Sequence, residues 1–507
     1  MSEFNNQTDI GAVYREREPI TARLECSRDF VLPDYLGDVK RIIKGSAGAC
    51  PVNKFIGDDS ISFLWSVTFS ILYLDGEDKL TEARFSADLE HSEKTDGEIA
   101  DADMKCRISS VSLRLSGPRK MTAKAAMVGE ICVTDAHLPD FSDIEESAER
   151  LDKSVMIHTA TYMDTEEREY AEEIARFEDV GKDEIEVKFL RCEPAGAFAE
   201  IKDGRVTVTS TVNACAVVSV DGMLTHVEKT FKIDQSASID TITEEPSVLC
   251  ETFINDFRIN LNEESGEDMT VATTAVITMN AKSALRIDAN KPCNVVCDAF
   301  VPGMKNECAY EKIEYESVLS SAKEAIEIET SVARDEGVIS DILLCECEIS
   351  SYNVEIDNGD AVLSGELDFL AIALNAEGMP YVIRADKTFN ERIKAPVTRK
   401  NIKIRPYVKT CDAKATSDSE KVYFSCSVCV EMLFLEIGEE MCVSRLKFFE
   451  GEKCDRRRIS VYYPEKDETG WDIARRYSVR LCDLIAKNPS SFDSSMKVLS
   501  DCIYVEK

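Results

Sequence analysis

The chain has 507 residues, of which 60 are Lys or Arg and 95 are Asp or Glu, so its formal net charge is −35. We expect so acidic a protein neither to bind nucleic acid nor to insert into anionic membranes, because phosphate recognition requires clustered cations. The N-terminal residues are polar, and no apolar run approaches the ~18 residues of a membrane span. These features predict a soluble cytoplasmic protein of about three or four domains.

The charge is distributed unevenly along the chain. Residues 454–507 carry 10 basic and 9 acidic side chains, whereas residues 1–453 carry 50 basic and 86 acidic ones. A nearly neutral tail on a strongly acidic body predicts a separate C-terminal module.

Nineteen cysteines and four histidines are the candidates for metal or disulfide sites. The cysteine number is odd and the chain is long, which argues against a small disulfide scaffold, and no histidine lies near a cysteine pair. Cys426 and Cys429 form a CxxC pattern inside an alternating stretch, where residues three apart face opposite sides of a strand. We therefore expect reduced core cysteines and no metal site.

Three alternating stretches predict strands of one repeated type. They are Trp65–Gly76, Ser210–Gly222 and Gly365–Gly378, and each ends in a glycine turn before a return strand marked by an aromatic residue. The apolar positions expected to face the core are Val67, Phe69, Ile71 and Tyr73, then Val212, Ala214, Ala216 and Val218, then Leu367, Phe369, Ala371 and Ala373, with Phe85, Phe231 and Phe389 on the return strands. Matching the strands gives domain-sized intervals of 145 and 155 residues.

Charged segments at residues 142–155, 165–177 and 315–329 predict helical connectors between the copies. We accordingly place β domains at residues 1–140, 141–300 and 301–455, with the second the most divergent, and a module at residues 456–507. The predicted fold is mainly β. It combines three repeated antiparallel β-rich domains of sandwich or barrel type with helical connectors and a small C-terminal α+β (βααβ) module.

Residues 29–59 carry the first family resemblance. They combine a short strand, a Leu-Pro-Asp turn, a further Gly-Asp and a short apolar helix, and the hairpin at Trp65 follows. This order resembles the SPOCS domain of endospore-forming bacteria. Asp341, Ile342 and Leu343 echo the pattern in the third copy, whereas the second copy has largely lost it.

The last fifty residues predict a strand, two helices and a strand. Ile459, Val461 and Tyr463 alternate as the first strand, and Thr469 with Asp472 matches a capping box at the first helix. The second helix ends at Asn488-Pro489, and residues 503–505 form the last strand. Trp471 is expected in the small core that these elements close.

This order, with "TGWDIARRY" and "LIAKNP" in place, resembles a LysM module over residues 459–506. In carbohydrate-binding LysM modules the sugar lies against two loops. The resemblance places a partner-binding or glycan-binding site at Asp467, Glu468, Thr469, Gly470, Asp472, Arg475, Arg476, Asn488, Pro489 and Ser490. The family's Gly-Asp-Thr loop reads Asp467-Glu468-Thr469 here, and this bulkier, more acidic loop favours a protein ligand over an acetamido sugar.

Three SPOCS-like copies followed by one LysM module occur together in spore coat morphogenesis proteins. The resemblance implies a non-enzymatic scaffold in the mother-cell cytoplasm, at the forespore surface. Its partners would be the coat morphogenetic ATPase of the basement layer and other coat proteins. Arg475 and Arg476, expected on the exposed side of the first helix, either meet an acidic surface or are solvated. The alternative is a peptidoglycan-binding protein of the cortex or wall. We expect no enzyme and no cofactor, because the sequence holds no phosphate loop, nucleophile elbow or metal-ligand cluster.

Overall fold

Strands account for 79% of the computed structural model and helices for 4%, so the prediction of a mainly β, antiparallel fold is confirmed. The structure describes residues 13–57, 59–96, 99–137, 147–239, 246–265, 271–334, 338–357, 359–394, 401–449 and 459–506. Within these ranges, no helix is both long enough and apolar enough to cross a bilayer.

The first pair of sheets packs around one hydrophobic core. Its strands are β1 (Val13–Glu16), β2 (Ile20–Val31), β3 (Val39–Ile56), β4 (Ser60–Asp75), β5 (Leu80–Lys94), β6 (Ile99–Gly117) and β7 (Lys120–His137). One sheet is ordered β3-β4-β5; in the other, β7 pairs with β1, β2 and β6. The short apolar helix predicted within residues 29–59 is wrong, because the segment after the turn is β3 and hydrogen-bonds along β4.

The second pair follows after residue 147. Its strands are β8 (Glu149–Asp164), β9 (Arg168–Glu178), β10 (Ile185–Lys202), β11 (Arg205–Val220), β12 (Met223–Ser238), β13 (Ser247–Ser265) and β14 (Val271–Phe300), with a 3₁₀ turn at Lys182–Glu184. One sheet is ordered β10-β11-β12. In the other, β13 lies on one edge of β14, and β8 and β9 share the opposite edge.

The third pair begins at Lys305. Its strands are β15 (Lys305–Ala333), β16 (Asp341–Asp357), β17 (Asp360–Leu374), β18 (Pro380–Ile393), β19 (Ile402–Ser417) and β20 (Lys421–Phe449), in sheets ordered β15-β20-β19 and β16-β17-β18. The C-terminal unit consists of β21 (Ile459–Tyr462), α1 (Gly470–Tyr477), α2 (Leu481–Lys487) and β22 (Ile503–Glu506), and its two strands pair antiparallel.

The helical connectors predicted at residues 142–155, 165–177 and 315–329 are wrong, although residues 142–146 lie outside the described part. These segments form β8, β9 and β15. Strand β14 spans 30 residues and β20 spans 29, and each exposes backbone donors and acceptors along both edges. Pairing with these edges satisfies those groups and outweighs the helix propensity of Glu and Ala.

The predicted hairpin strands bury the predicted side chains. Val67, Phe69 and Ile71 are fully buried, as are the corresponding residues of β11 and β17. Gly222 and Gly378 adopt positive φ angles of 80° and 74°, as a tight turn requires. Gly76 does not, because the positive φ of the first turn falls at Asp78.

The opposite faces of the same hairpins are buried too, which the half-buried pattern did not predict. Leu72, Val217 and Ile372 meet in one apolar cluster that also contains Phe189 and Leu344. The first three are separated by 145 and 155 residues, the intervals of the predicted copies. One sheet from each pair therefore contributes a strand to a shared apolar junction.

A second junction between the three pairs is ionic. Arg286 on β14 donates to Glu16 on β1 at 2.9 Å and to Asp288 at 2.9–3.0 Å. Arg405 on β19 also contacts Glu16 and pairs with Glu316 on β15 at 2.7 Å. We call these five residues the ionic cluster. All of them except Arg405 are buried, and the cluster joins the three pairs of sheets directly.

We predict that Ile372→Ala lowers the free energy of unfolding by about 3 kcal/mol, because it removes buried methyl groups and leaves a cavity at the apolar junction. Urea denaturation measures the loss. Ile356→Ala, at a half-exposed position in the same sheet, is the matched control and should cost roughly 1 kcal/mol or less. Equal losses in the two variants would contradict the burial assigned to Ile372.

The ionic cluster makes stability dependent on acid pH. Burial alone would raise the pKa of Asp288, but Arg286 and a 2.7 Å hydrogen bond with His158 outweigh it and lower that pKa to about 2. The carboxylate therefore contributes about 2 kcal/mol above pH ~4, and this contribution is lost as the pH falls toward ~2.

Asp288→Asn should accordingly be less stable than wild type by at least about 2 kcal/mol at pH 6, and the difference should shrink below pH ~4. Urea denaturation across this pH range tests it. Asp34→Asn removes an exposed carboxylate and should change stability by roughly 0.5 kcal/mol or less at pH 6. A stability difference between wild type and the Asp288→Asn variant that does not vary with pH would refute the assignment.

Candidate functional site

The C-terminal unit holds the residues that the sequence assigned to a binding site. Helix α1 begins with the predicted capping box: the Thr469 hydroxyl accepts from the Asp472 amide at 3.3 Å, and the Thr469 amide donates to the Asp472 carboxylate at 2.9 Å. The helix ends at Ser478, whose left-handed backbone (φ 55°) turns the chain into α2.

Trp471 lies in the core, as predicted, together with Ile473, Leu484 and Ile503. The core is not closed by the tail alone. Phe300, the last residue of β14, is fully buried in the same cluster, and its ring meets the Trp471 indole edge-on at a centroid distance of 5.2 Å. The unit therefore shares its interior with the body of the protein.

Helix α1 is anchored to the body through Asp298. The Trp471 indole N–H donates to the Asp298 carboxylate at 2.8 Å, and Arg475 pairs with the same carboxylate at 2.5 Å. Arg475 also donates to the Tyr310 hydroxyl at 2.9 Å, and that hydroxyl donates to Asp298 at 2.9 Å. Burial and Asp298 raise the pKa of Tyr310 to about 12, so the phenol keeps its proton at neutral pH.

The turn after α1 extends this contact. Gly303 donates its amide to the Ser478 carbonyl at 2.8 Å, and the Ser478 hydroxyl donates to the Met304 carbonyl at 3.1 Å. We call the contacts of Trp471, Arg475 and Ser478 with the body the docking interface. The acidic surface expected for Arg475 thus lies within the same chain.

Three more of the predicted site residues, Glu468, Asn488 and Gly470, have structural roles. Glu468 is buried and accepts from the Tyr462 hydroxyl at 2.9 Å and from Arg476 at 2.8 Å. Asn488 is buried and connects α2 to β22. Its side-chain amide donates to the Tyr504 carbonyl at 2.8 Å, and its side-chain oxygen accepts from the Tyr504 amide at 2.7 Å. Gly470 is buried because the Phe492 ring occupies the space where a side chain would be, 3.0 Å from an ideal Cβ.

The rest of the predicted loops stays at the surface. Asp467, Pro489 and Ser490 are exposed, and Asp467 pairs with Lys497 at 2.8 Å. The loop amides are already used, because Thr469 donates to Asp472 and Gly470 donates to the Met496 carbonyl at 2.7 Å. The two predicted loops therefore come together, but few free backbone donors remain there for a sugar acetamido group.

Sequence reasoning missed an apolar surface on the small sheet. Ile459, Val461 and Tyr463 alternate as predicted but face outward; Tyr463 is 73% exposed. Val461 lies directly opposite Tyr504, which is 52% exposed, so these two side chains and Ile459 share one side of the sheet. Tyr463 follows the strand directly and is also exposed. We call Ile459, Val461, Tyr463 and Tyr504 the apolar face. The alternation of Ile459, Val461 and Tyr463 was the only sequence signal for this face, and alternation alone predicts a strand without saying whether its apolar side is buried.

A second candidate site is a cavity of about 1170 Å³ between the three pairs of sheets. Its walls include Trp65 and Lys54 from the first pair, Tyr162 and Arg286 from the second, and Tyr407 from the third. Lys54 and Arg286 lie 5.2 and 5.4 Å from the centre of the Tyr162 ring. Because the walls mix both signs of charge with apolar groups, they define no single class of ligand.

Potential metal ligands are scattered over the described residues. No group of three or more His, Cys, Asp or Glu side chains within them is arranged to hold a metal ion. His158, a buried histidine beside the ionic cluster, bonds to Asp288 and lies 3.9 Å from Glu316.

No protein-family model and no curated protein sequence matches this chain. Among solved structures, the crystal structure of lipopolysaccharide binding protein is similar over 52% of this chain and 91% of that chain, with 7% identity and a TM-score of 0.09. A TM-score this low supports no shared fold.

We predict that Asp298→Ala loosens the docking interface, because Trp471 and Arg475 lose a shared buried acceptor worth about 2 kcal/mol. In a Trp65→Phe background Trp471 is the sole tryptophan, so its emission should shift to longer wavelength and its quenching by acrylamide should rise. Asp467→Ala, an exposed acid of the same unit, is the control. Unchanged quenching in the Asp298 variant would show that the carboxylate does not hold the unit.

Proposed function

We propose that this protein is a non-enzymatic scaffold of endospore coat assembly, with three SPOCS-like β repeats and a C-terminal LysM module. The three pairs of sheets, the junction residues spaced by 145 and 155, and the strand-helix-helix-strand order of the tail support this arrangement. The proposal places the protein in the mother-cell cytoplasm at the forespore surface, where its partners are the coat morphogenetic ATPase and other coat proteins.

The apolar face is the observation that carries the proposal. Large apolar side chains that cluster on one exposed sheet face are typical of a protein-binding surface, since they gain free energy when a partner covers them. Within the described part of the chain, docking leaves this face exposed, because Asp298 and its neighbours engage α1 and the turn after it. Aromatic residues such as Tyr463 and Tyr504 are frequent hot spots of such interfaces.

The LysM loops contribute less to this proposal than the sequence suggested. Glu468, Gly470 and Asn488 hold the module together, and Arg475 is used in docking. The part of these loops that stays exposed is the edge made by Asp467, Pro489 and Ser490. The alternative, a peptidoglycan-binding protein of the cortex or wall, would use this edge.

We predict that Tyr463→Ser combined with Val461→Ser weakens binding of the coat morphogenetic ATPase about tenfold or more, since two apolar contacts of at least ~1 kcal/mol each are lost. Titration of the purified partner against the full chain measures the affinity. Ser490→Ala with Asp467→Ala is the matched control at the loop edge, and should leave that affinity unchanged.

The same variants separate the two functions. If N-acetylglucosamine oligomers bind the full chain saturably, and the loop-edge variant loses this binding while the Tyr463 variant keeps it, the peptidoglycan alternative replaces the scaffold proposal. If the Tyr463→Ser, Val461→Ser variant binds the ATPase with unchanged affinity, the apolar face is not the partner-binding surface.

A further inference from the structure

Two cysteines of the third pair of sheets lie side by side. The Sγ atoms of Cys411 on β19 and Cys429 on β20 are 2.8 Å apart. In the regular register Cys411 faces Ser427 and Lys409 faces Cys429, so the two cysteines are diagonal neighbours. The register becomes irregular directly after Cys411, where Asp412 has a left-handed backbone (φ 50°). This irregularity accompanies the close approach of the two sulfurs.

The CxxC pattern behaves as the strand geometry predicted. Cys426 faces the hydrophobic core and is fully buried, whereas Cys429 lies on the other face and is half-buried. The partner of Cys429 is therefore Cys411, eighteen residues earlier, and not Cys426. Cys347, which hydrogen-bonds with Cys426, is buried in the same core.

The two sulfurs of the pair are chemically distinct. The hydrogen bond from Cys411 and the charge of Lys409 together lower the pKa of Cys429 to about 7, against the opposing effects of burial, Glu431 and Glu327. The pKa of Cys411 is raised by that same hydrogen bond and by burial. A partly exposed thiolate beside a protonated, buried thiol is the arrangement of an attacking and a resolving cysteine.

We propose that Cys411 and Cys429 form a redox-active dithiol, which a low-molecular-weight disulfide oxidises to an intramolecular disulfide between β19 and β20. The Cys429 thiolate attacks one sulfur of the small disulfide, forms a mixed disulfide and releases the first small thiolate, which takes up a proton. Cys411 then loses its proton and attacks the Cys429 sulfur, and the second small thiol leaves. Two protein thiols are oxidised and one small disulfide is reduced to two thiols.

The experiment uses the full chain, reduced and then incubated with glutathione disulfide. Alkylation of the remaining thiols and peptide mapping should find the Cys411–Cys429 crosslink before any other cysteine reacts, with a mass loss of two hydrogens. A Cys482→Ser background removes an exposed cysteine outside the pair. The reaction rate should rise with pH through about 7, as the Cys429 thiolate forms.

Single variants test the two roles. Cys411→Ser should stop at a stable glutathione adduct on Cys429, and Cys429→Ser should react at least about tenfold more slowly at position 411. Cys442→Ser, a buried cysteine of β20 outside the pair, should crosslink like the wild type. Equal adducts at both positions, or oxidation of other cysteines with Cys411 and Cys429 still free, would overturn the proposal. Peptide mapping of the wild-type chain gives this second result even if a variant does not fold.

Discussion

The buried ionic cluster is the constraint on which the arrangement of the three pairs of sheets depends. Arg286 and Arg405 both bind Glu16, which ends a four-residue strand near the start of the described chain. Charges taken out of water are tolerated only when each has several partners, so the cluster demands that all three pairs are present and correctly placed. An apolar junction would accept small shifts, whereas this cluster specifies one geometry. It ties residues that are 389 positions apart in sequence.

The sequence predicted the hairpin strands around the two junctions, but it did not predict that these strands meet in shared junctions. Alternation in the hairpin strands identified Phe69, Ala216 and Phe369 as core residues correctly, because period-two patterns report one buried face directly. Burial of Leu72 and Ile372 on the other face depends on how separate sheets meet. The continuous apolar runs at the ends of those strands carried a signal for it. The helical prediction for residues 165–177 failed because most of this segment, as β9, hydrogen-bonds to an edge of β14 that is distant in sequence.

At the candidate site the sequence predicted the local structure of the C-terminal unit but not its contacts with the body. The capping box at Thr469 and the inward Trp471 follow from short-range rules. The docking of Arg475 on Asp298 joins positions 177 apart, and nothing near either residue announces it. Arg475, which the sequence suggested for contact with another molecule, instead forms an ion pair with Asp298 of the same chain. Tyr463 and Tyr504 take no part in this docking and stay exposed.

Phe300 has a consequence for how the protein can be divided. It closes β14 of the body, yet it packs inside the C-terminal unit against Trp471. Cutting the chain before Ile459 would uncover this ring on the shortened body and leave a void in the released fragment. The shortened body would then expose an apolar surface that is buried in the intact protein, and the released fragment would be less stable. The boundary of the C-terminal unit in sequence therefore differs from its boundary in structure, because its core includes Phe300 of the body.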